Sequence, residues 1–233
     1  MFTVYPYAEL GHANHGWLDA RHHFSFSGYY NPARRQFGQL RVINDDTIAA
    51  GSGFDTHPHD NMEIITYVRA GAITHRDSMG NEGRTEAGDV QVMSAGSGVE
   101  HSEHNHEDVA TRLYQIWIIP NARDVAPYWA AQQFPKTPVT DALPLLVSGQ
   151  PEHAGQGALP IHQDAAIYGG RLCAGTELVQ PVKHQAYLLV AEGRFTIEGA
   201  SVLAGDGAEF TGGSSLRIRA EEDGELLVID VPA

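Results

Sequence analysis

One β unit occurs twice in this chain, and that recurrence limits the fold more than any other feature. In the first half "YVRAGAITHRD" leads to "EAGDVQVMSAGSGVEH" and "RLYQIWIIP"; in the second "LVAEGRFTIEG" leads to "LAGDGAEFTGGSSLRI" and "ELLVIDVP". Aligning Gly71 with Gly193, and Ala87-Gly88-Asp89 with Ala204-Gly205-Asp206, brings the flanking runs into step. Each run is short, apolar or alternating, and is bounded by Gly, Asn or Asp, the pattern of strands joined by tight turns. Two copies of one such unit imply an all-β chain of two tandem jelly-roll barrels. A length of 233 residues is enough to give each a core. The expected domains are 1–134 and 135–233, with the Pro-, Gly- and Ala-rich stretch 135–160 as a linker. "RDVAPYWAAQQF" is expected to form a helical turn or two between them.

Charge narrows the function classes. Fifteen basic residues against 29 acidic ones leave a net charge of −14, which repels phosphate backbones and anionic lipid. No nucleic acid or membrane is expected as a partner, and no apolar run approaches the roughly 20 residues of a bilayer span. The single cysteine, Cys173, excludes an intrachain disulfide, suits the cytoplasm, and is expected to be a buried, inert thiol. Histidine is the unusual component: there are 13, ten of them before residue 107.

Two of these sit in "GFDTHPHDNME". Side chains alternate along a strand, so His57 and His59 share a face, and Pro58 between them suits an edge strand. In "GVEHSEHNH" the same rule puts His101 and Glu103 on one face. If the two strands lie side by side, three imidazoles and a carboxylate converge, a donor set suited to a divalent first-row metal. Four ligands leave room for a further one if the metal is five- or six-coordinate, and an open position is what separates a catalytic metal site from a closed structural one. Glu63 shares parity with His59, so parity does not decide between Glu63 and Glu103 as the carboxylate. His104 and His106 have the opposite parity and are expected to be exposed turn residues. In the repeat, the counterparts of His57, His59, His101 and Glu103 are Val179, Pro181, Ile218 and Ala220. All four candidates are replaced together while the framework persists, so the barrel itself does not require them.

These residues resemble a known family. "GSGFDTHPHDNME" looks like the first cupin motif and "GVEHSEHN" like the end of the second. Together with "GHANHGWLDARHHFSFSGYYNP", "LRVINDD", "HRDSMGN" and "MSAGSGVEHSE", they resemble bacterial members of the pirin family of bicupins. The resemblance implies two cupin barrels and one metal ion in the N-terminal one, Fe(II) first, with Cu, Ni, Mn, Co or Zn as alternatives. It places the ligands at His57, His59, His101 and Glu103, and leaves Glu63 in a second layer, orienting a histidine through its free ring nitrogen. Ser94, where the generic second cupin motif has proline, agrees with the pirin pattern. The implied activity is that of a quercetin 2,3-dioxygenase, which cleaves a flavonol or similar enolic aromatic with O2 and releases carbon monoxide. Glu103 is then the candidate base. The competing implication is a non-enzymatic, iron-binding regulatory protein whose oxidation state tunes an unknown protein partner. His12, His15, His22 and His23 are expected to pack on the barrel; the other reading makes at least one of them a rim over the metal cavity, with Phe24 and Phe26 walling an aromatic substrate.

Overall fold

The repeated Ala-Gly-Asp corner explains why the halves align. Gly88 N–H donates to Val68 O at 2.7 Å and Val68 N–H to Asp89 O at 3.2 Å; Gly205 and Val190 make the same pair at 2.8 and 3.3 Å, the latter to Asp206 O. Both glycines have φ near +85°, a conformation that costs any residue with a Cβ. The computed structural model describes all 233 residues, and they form two all-β units. No helix is long and apolar enough to cross a membrane.

The grouping differs from the expected division in two places. Gly11–Phe134 and Leu159–Gln163 form one unit, while Met1–Leu10, Pro135–Ala158 and Asp164–Ala233 form the other. The first ten residues join the second unit because Phe2–Tyr5 (β1) pairs along the edge strand Gly207–Phe210. The supposed linker contains a strand, Leu145–Ser148, which pairs with Ala166–Leu172.

The N-terminal unit comprises β2 (Gly11–Asn14), β3 (Leu18–His22), β4 (Leu40–Ile48), β5 (Gly53–His59), β6 (Glu63–Ala70), β7 (Ala72–Asp77), β8 (Glu82–Glu86), β9 (Val90–Ser94), β10 (Val99–His104), β11 (Thr111–Ile118) and β12 (Tyr128–Gln132). They make a seven-stranded sheet, β12-β9-β6-β11-β4-β3-β2, and a four-stranded sheet, β5-β10-β7-β8. The expected helical turn at "RDVAPYWAAQQF" is instead β12, paired in register with β9. A segment this short is a poor autonomous helix, and the open edge of β9 satisfies its backbone.

The interior of this unit is layered. At one end lie Leu18, Ile48, Val68, Ile73 and Leu113; at the other, Ile64, Met93, Ala95 and Val99. Between them runs a cross-strand polar row, Asn44–Gln115–Thr66–Gln91, each residue paired with the next. Buried polar groups in register on four strands are costly unless something uses them.

The second unit has no such layer. Leu188, Val190, Phe195, Ile218, Leu226 and Val228 belong to one continuous apolar core. The repeat alignment slips by one residue here: Leu178 is buried, and Val179, the supposed counterpart of His57, is 59% exposed. Glu177–Pro181 pairs with Ser215–Ala220 without a register break, whereas β5 contains one. Cys173 is exposed, contrary to expectation.

Candidate metal centre

The site is built where β5 meets β10. His101 pairs directly with His57, and Val99 with His59. Beyond His57 the register breaks, so that Asp55 and Thr56 oppose Ser102 alone and Phe54 pairs with Glu103. This bulge turns Phe54 and His57, three residues apart, toward the same cavity. Gly53 allows the close approach, since a Cβ there would sit 2.3 Å from the Glu103 carbonyl oxygen. Pro58 costs no ladder bond because β5 is the sheet edge.

His57, His59 and His101 bring their ligand nitrogens within 4.8 Å of one another. His57 Nδ1 donates to Asp55 O at 2.7 Å, which leaves its Nε2 lone pair free. His101 Nε2 is buried without a hydrogen-bond partner. Burial first, and then His57, His59 and His75, depress the His101 pKa to about 2; burial and His57 bring His59 to about 4. Both rings are therefore neutral at pH 7, the protonation state in which imidazole ligates a metal. Three converging imidazole nitrogens, one of them orphaned, fit a divalent metal ion.

These depressed values carry a sign for stability. A histidine buried in its neutral form must take up a proton on unfolding below its ordinary pKa near 6.5. The metal-free protein should therefore lose stability as pH falls below about 6.5, through His59 until about pH 4 and through His101 until about pH 2. Each contributes up to about 1.4 kcal/mol per pH unit. Urea midpoints between pH 7 and 5 check this; a flat profile would contradict the neutral assignment.

Glu103 faces the same cavity but stands outside the three-histidine cluster. Its Oε1 accepts from Thr66 Oγ1 at 3.0 Å and from Gln91 Nε2 at 2.5 Å, and its Oε2 accepts from Gln115 Nε2. Gln91 is oriented by Thr85, whose hydroxyl donates to Gln91 Oε1 at 3.0 Å. Three members of the polar row thus cradle one carboxylate, while the fourth, Asn44, pairs through Oδ1 with His22 Nδ1 at 2.7 Å. Burial raises the Glu103 pKa, opposed by His75, Thr66 and Gln115.

Glu63 corrects the reading from parity. Asn61, at φ +45°, turns the chain between β5 and β6 and cancels any parity carried across it. Ile64 faces the cavity, so Glu63 projects from the other face of β6 and accepts from Ser94 Oγ at 2.9 Å. It orients none of the three histidines.

The cavity encloses about 240 Å³, walled by Phe26, Phe54, Ile64 and Trp117, with Asn44, Asp46 and Gln115 as polar points. A neighbouring cavity of about 760 Å³ shares Phe26, Asn44, Asp46 and Phe54 with it and reaches His12, His15 and His22. Three of the four N-terminal histidines therefore line a vestibule. His23 is buried, and Phe24 packs in the core under Arg34. His104 is the last residue of β10 rather than a turn residue, and His106 follows; the two rings stack 5.7 Å apart, away from the cluster. Asp46 was missed from sequence. Its Oδ1 is buried without a partner, and burial, Asp45 and Glu103 push its pKa well up. The signal was present in "LRVINDD", where strand alternation puts Asn44 and Asp46 on one face.

Two jelly-roll barrels with one histidine cluster define the class of metal-binding bicupins. The Pirin family profile matches residues 4–118, and that of the quercetinase C-terminal cupin domain matches 145–231. A pirin-like protein of Caulobacter vibrioides is 48% identical over 227 residues, covering 97% of each chain. Escherichia coli quercetin 2,3-dioxygenase is 41% identical over 227 residues, 96% of each chain. A protein of Pseudomonas aeruginosa, 51% identical over 97% of each chain, carries that enzyme name only provisionally. The crystal structure of the E. coli bacterial pirin YhhW in complex with nickel(II) superposes with a TM-score of 0.91 at 40% identity, over 100% of this chain and 99% of that one. The chain belongs to the pirin family.

Proposed function

We propose that the protein is a metal-dependent dioxygenase of the quercetin 2,3-dioxygenase type, cleaving flavonols or similar enolic aromatics with O2. The observation that carries this reading is the convergence of three imidazoles, two of them held neutral by burial, on an apolar-walled cavity that also contains the buried Glu103. His57, His59 and His101 hold the ion, with Glu103 as the fourth ligand. Fe(II) is the favoured ion, and Cu, Ni, Mn, Co and Zn suit the same donors. When bound, the ion would supply Lewis-acid and redox chemistry to the substrate and O2.

The chain supplies position and proton handling. Phe26, Phe54 and Trp117 offer flat apolar walls to an aromatic ring and keep water out. Glu103 takes the substrate hydroxyl proton on a carboxylate oxygen, while Gln91, Gln115 and Thr66 hold the group in place. We place the activity in the cytoplasm, where the free Cys173 stays reduced.

The test is metal analysis of anaerobically purified protein, followed by O2 uptake and carbon monoxide release on a flavonol panel. Coupled uptake and release by the iron-loaded protein are expected. Iron-loaded protein with no uptake on any flavonol would support the iron-binding regulatory reading instead. A tightly held zinc ion without oxygen chemistry would contradict both.

A further inference from the structure

Beneath His101 lies a second pair of side chains that the proposed reaction does not use. His75, fully buried on β7, places its Nδ1 3.4 Å from His101 Nδ1. Its Nε2 meets Asp77 Oδ2 at 3.1 Å. The His75 ring is fixed by stacking on Trp129, with centroids 4.9 Å apart and planes 9° from parallel. Trp129 reaches that position because Gly83, opposite His75 on β8, has no Cβ; one there would stand 2.2 Å from the indole.

The protons in this chain are ordered from its far end. Asp77 Oδ1 accepts backbone N–H groups from Met79 at 2.9 Å and Asn81 at 3.0 Å, and Oδ2 accepts Asn81 Nδ2 at 2.9 Å. With donors on both oxygens, Asp77 is an acceptor toward His75, so His75 donates from Nε2, and in the neutral ring its Nδ1 carries the lone pair. His101 then donates from Nδ1, and its Nε2 lone pair faces the cavity. That is the nitrogen found buried without a partner.

We propose that Asp77 and His75 are positioning residues that fix the tautomer of His101, so that Nε2 is presented to the metal before any metal arrives. The inference rests on the metal reading above. It also gives the "HRD" of β7, His75 to Asp77, a role at the metal centre. Carboxylate–imidazole pairs behind a ligating histidine set its orientation and basicity; here a second imidazole is interposed between carboxylate and ligand.

Asp77→Asn is the decisive variant. The backbone N–H groups of Met79 and Asn81 hold the new amide oxygen, so its NH2 turns to His75 and donates. His75 must then carry its proton on Nδ1, and His101 must accept at Nδ1 and protonate Nε2, which blocks the metal. An isosteric Asp→Asn change is known to trap a dependent histidine in the wrong tautomer in this way. His75→Phe keeps a ring on Trp129 but cuts the link, leaving His101 free to choose.

The experiment is two-bond 1H–15N correlation on histidine-labelled, metal-free protein, paired with calorimetric titration of Ni(II). Wild type should show His101 protonated at Nδ1, and Asp77→Asn should show it protonated at Nε2. Ni(II) affinity should fall about 10–100-fold in Asp77→Asn, the range typical of outer-layer partners, and less in His75→Phe. Wild-type His101 protonated at Nε2 would overturn the proposal, as would a folded Asp77→Asn protein with unchanged tautomer and affinity. A wild type that binds no Ni(II) would instead overturn the metal reading, and the tautomer result separates the two failures.

Discussion

His101→Ala is expected to abolish stoichiometric metal binding while leaving the barrel folded. His101 is the most buried of the three histidines, at 2% exposure, and stands on an interior strand of its sheet. His57 and His59 share the edge strand β5 and are only half-buried. Without His101, two imidazoles on an edge face an ion that now meets only Glu103 from the interior, and Glu103 is already engaged by three donors. Removing even an outer-layer partner of a metal ligand costs about 10–100-fold in affinity, so losing a ligand should exceed roughly 100-fold. The fold should tolerate the change, because His101 gives up a single side-chain hydrogen bond, the 3.4 Å contact with His75 Nδ1, and its Nε2 contributes none. Metal per chain after dialysis and a thermal melt check this pair of outcomes. A full equivalent of metal retained by a folded variant would remove His101 from the site.

Glu103→Gln has the second large effect, and it reads on two scales. At matched metal occupancy, flavonol turnover should fall by about 10²–10⁴-fold, the range of a lost acid–base group. Stability should also fall, because the cradle is made of donors: Gln91 Nε2, Gln115 Nε2 and Thr66 Oγ1 all point at the carboxylate. A glutamine side chain can satisfy them with one oxygen only and presents an NH2 to the rest. Leaving a buried polar group so mismatched costs about 1–3 kcal/mol. Thr85→Val should ease part of that penalty, since Gln91 could then rotate and offer its oxygen to the new amide. Undiminished turnover at full metal occupancy would exclude Glu103 as the base.

The period-two logic of strands was enough to find His57, His59 and His101, because each pair lies on one uninterrupted stretch of strand. It failed wherever the chain breaks that period. Asn61 at positive φ put Glu63 on the outer face, and the repeat alignment, in step along β6, slips across the turn between β5 and β6, so that Leu178, not Val179, faces inward. The two barrels were legible from the Ala-Gly-Asp corners, which make the same backbone bonds in both halves. The allegiance of residues 1–10 was not, since edge pairing with Gly207–Phe210 depends on a strand two hundred residues away. Gln91, Gln115 and His75 were hidden for a related reason. Each is unremarkable within its own strand, and only cross-strand register gathers them around Glu103 and His101.

The polar layer between two apolar layers ties these observations together. In the second barrel one continuous apolar core fills the interior beside a single buried amide of its strand Glu177–Pro181, Gln180; in the first, a carboxylate cradle and a histidine relay take up the space. On the proposed function, this space holds one metal ion. Anomalous diffraction from metal-loaded crystals, collected above and below the absorption edge, tests it most directly. The account predicts one peak per chain, about 2.0–2.2 Å from a ring nitrogen of each of His57, His59 and His101 and from an oxygen of Glu103. A peak elsewhere, or none between these three rings at full metal loading, would contradict it.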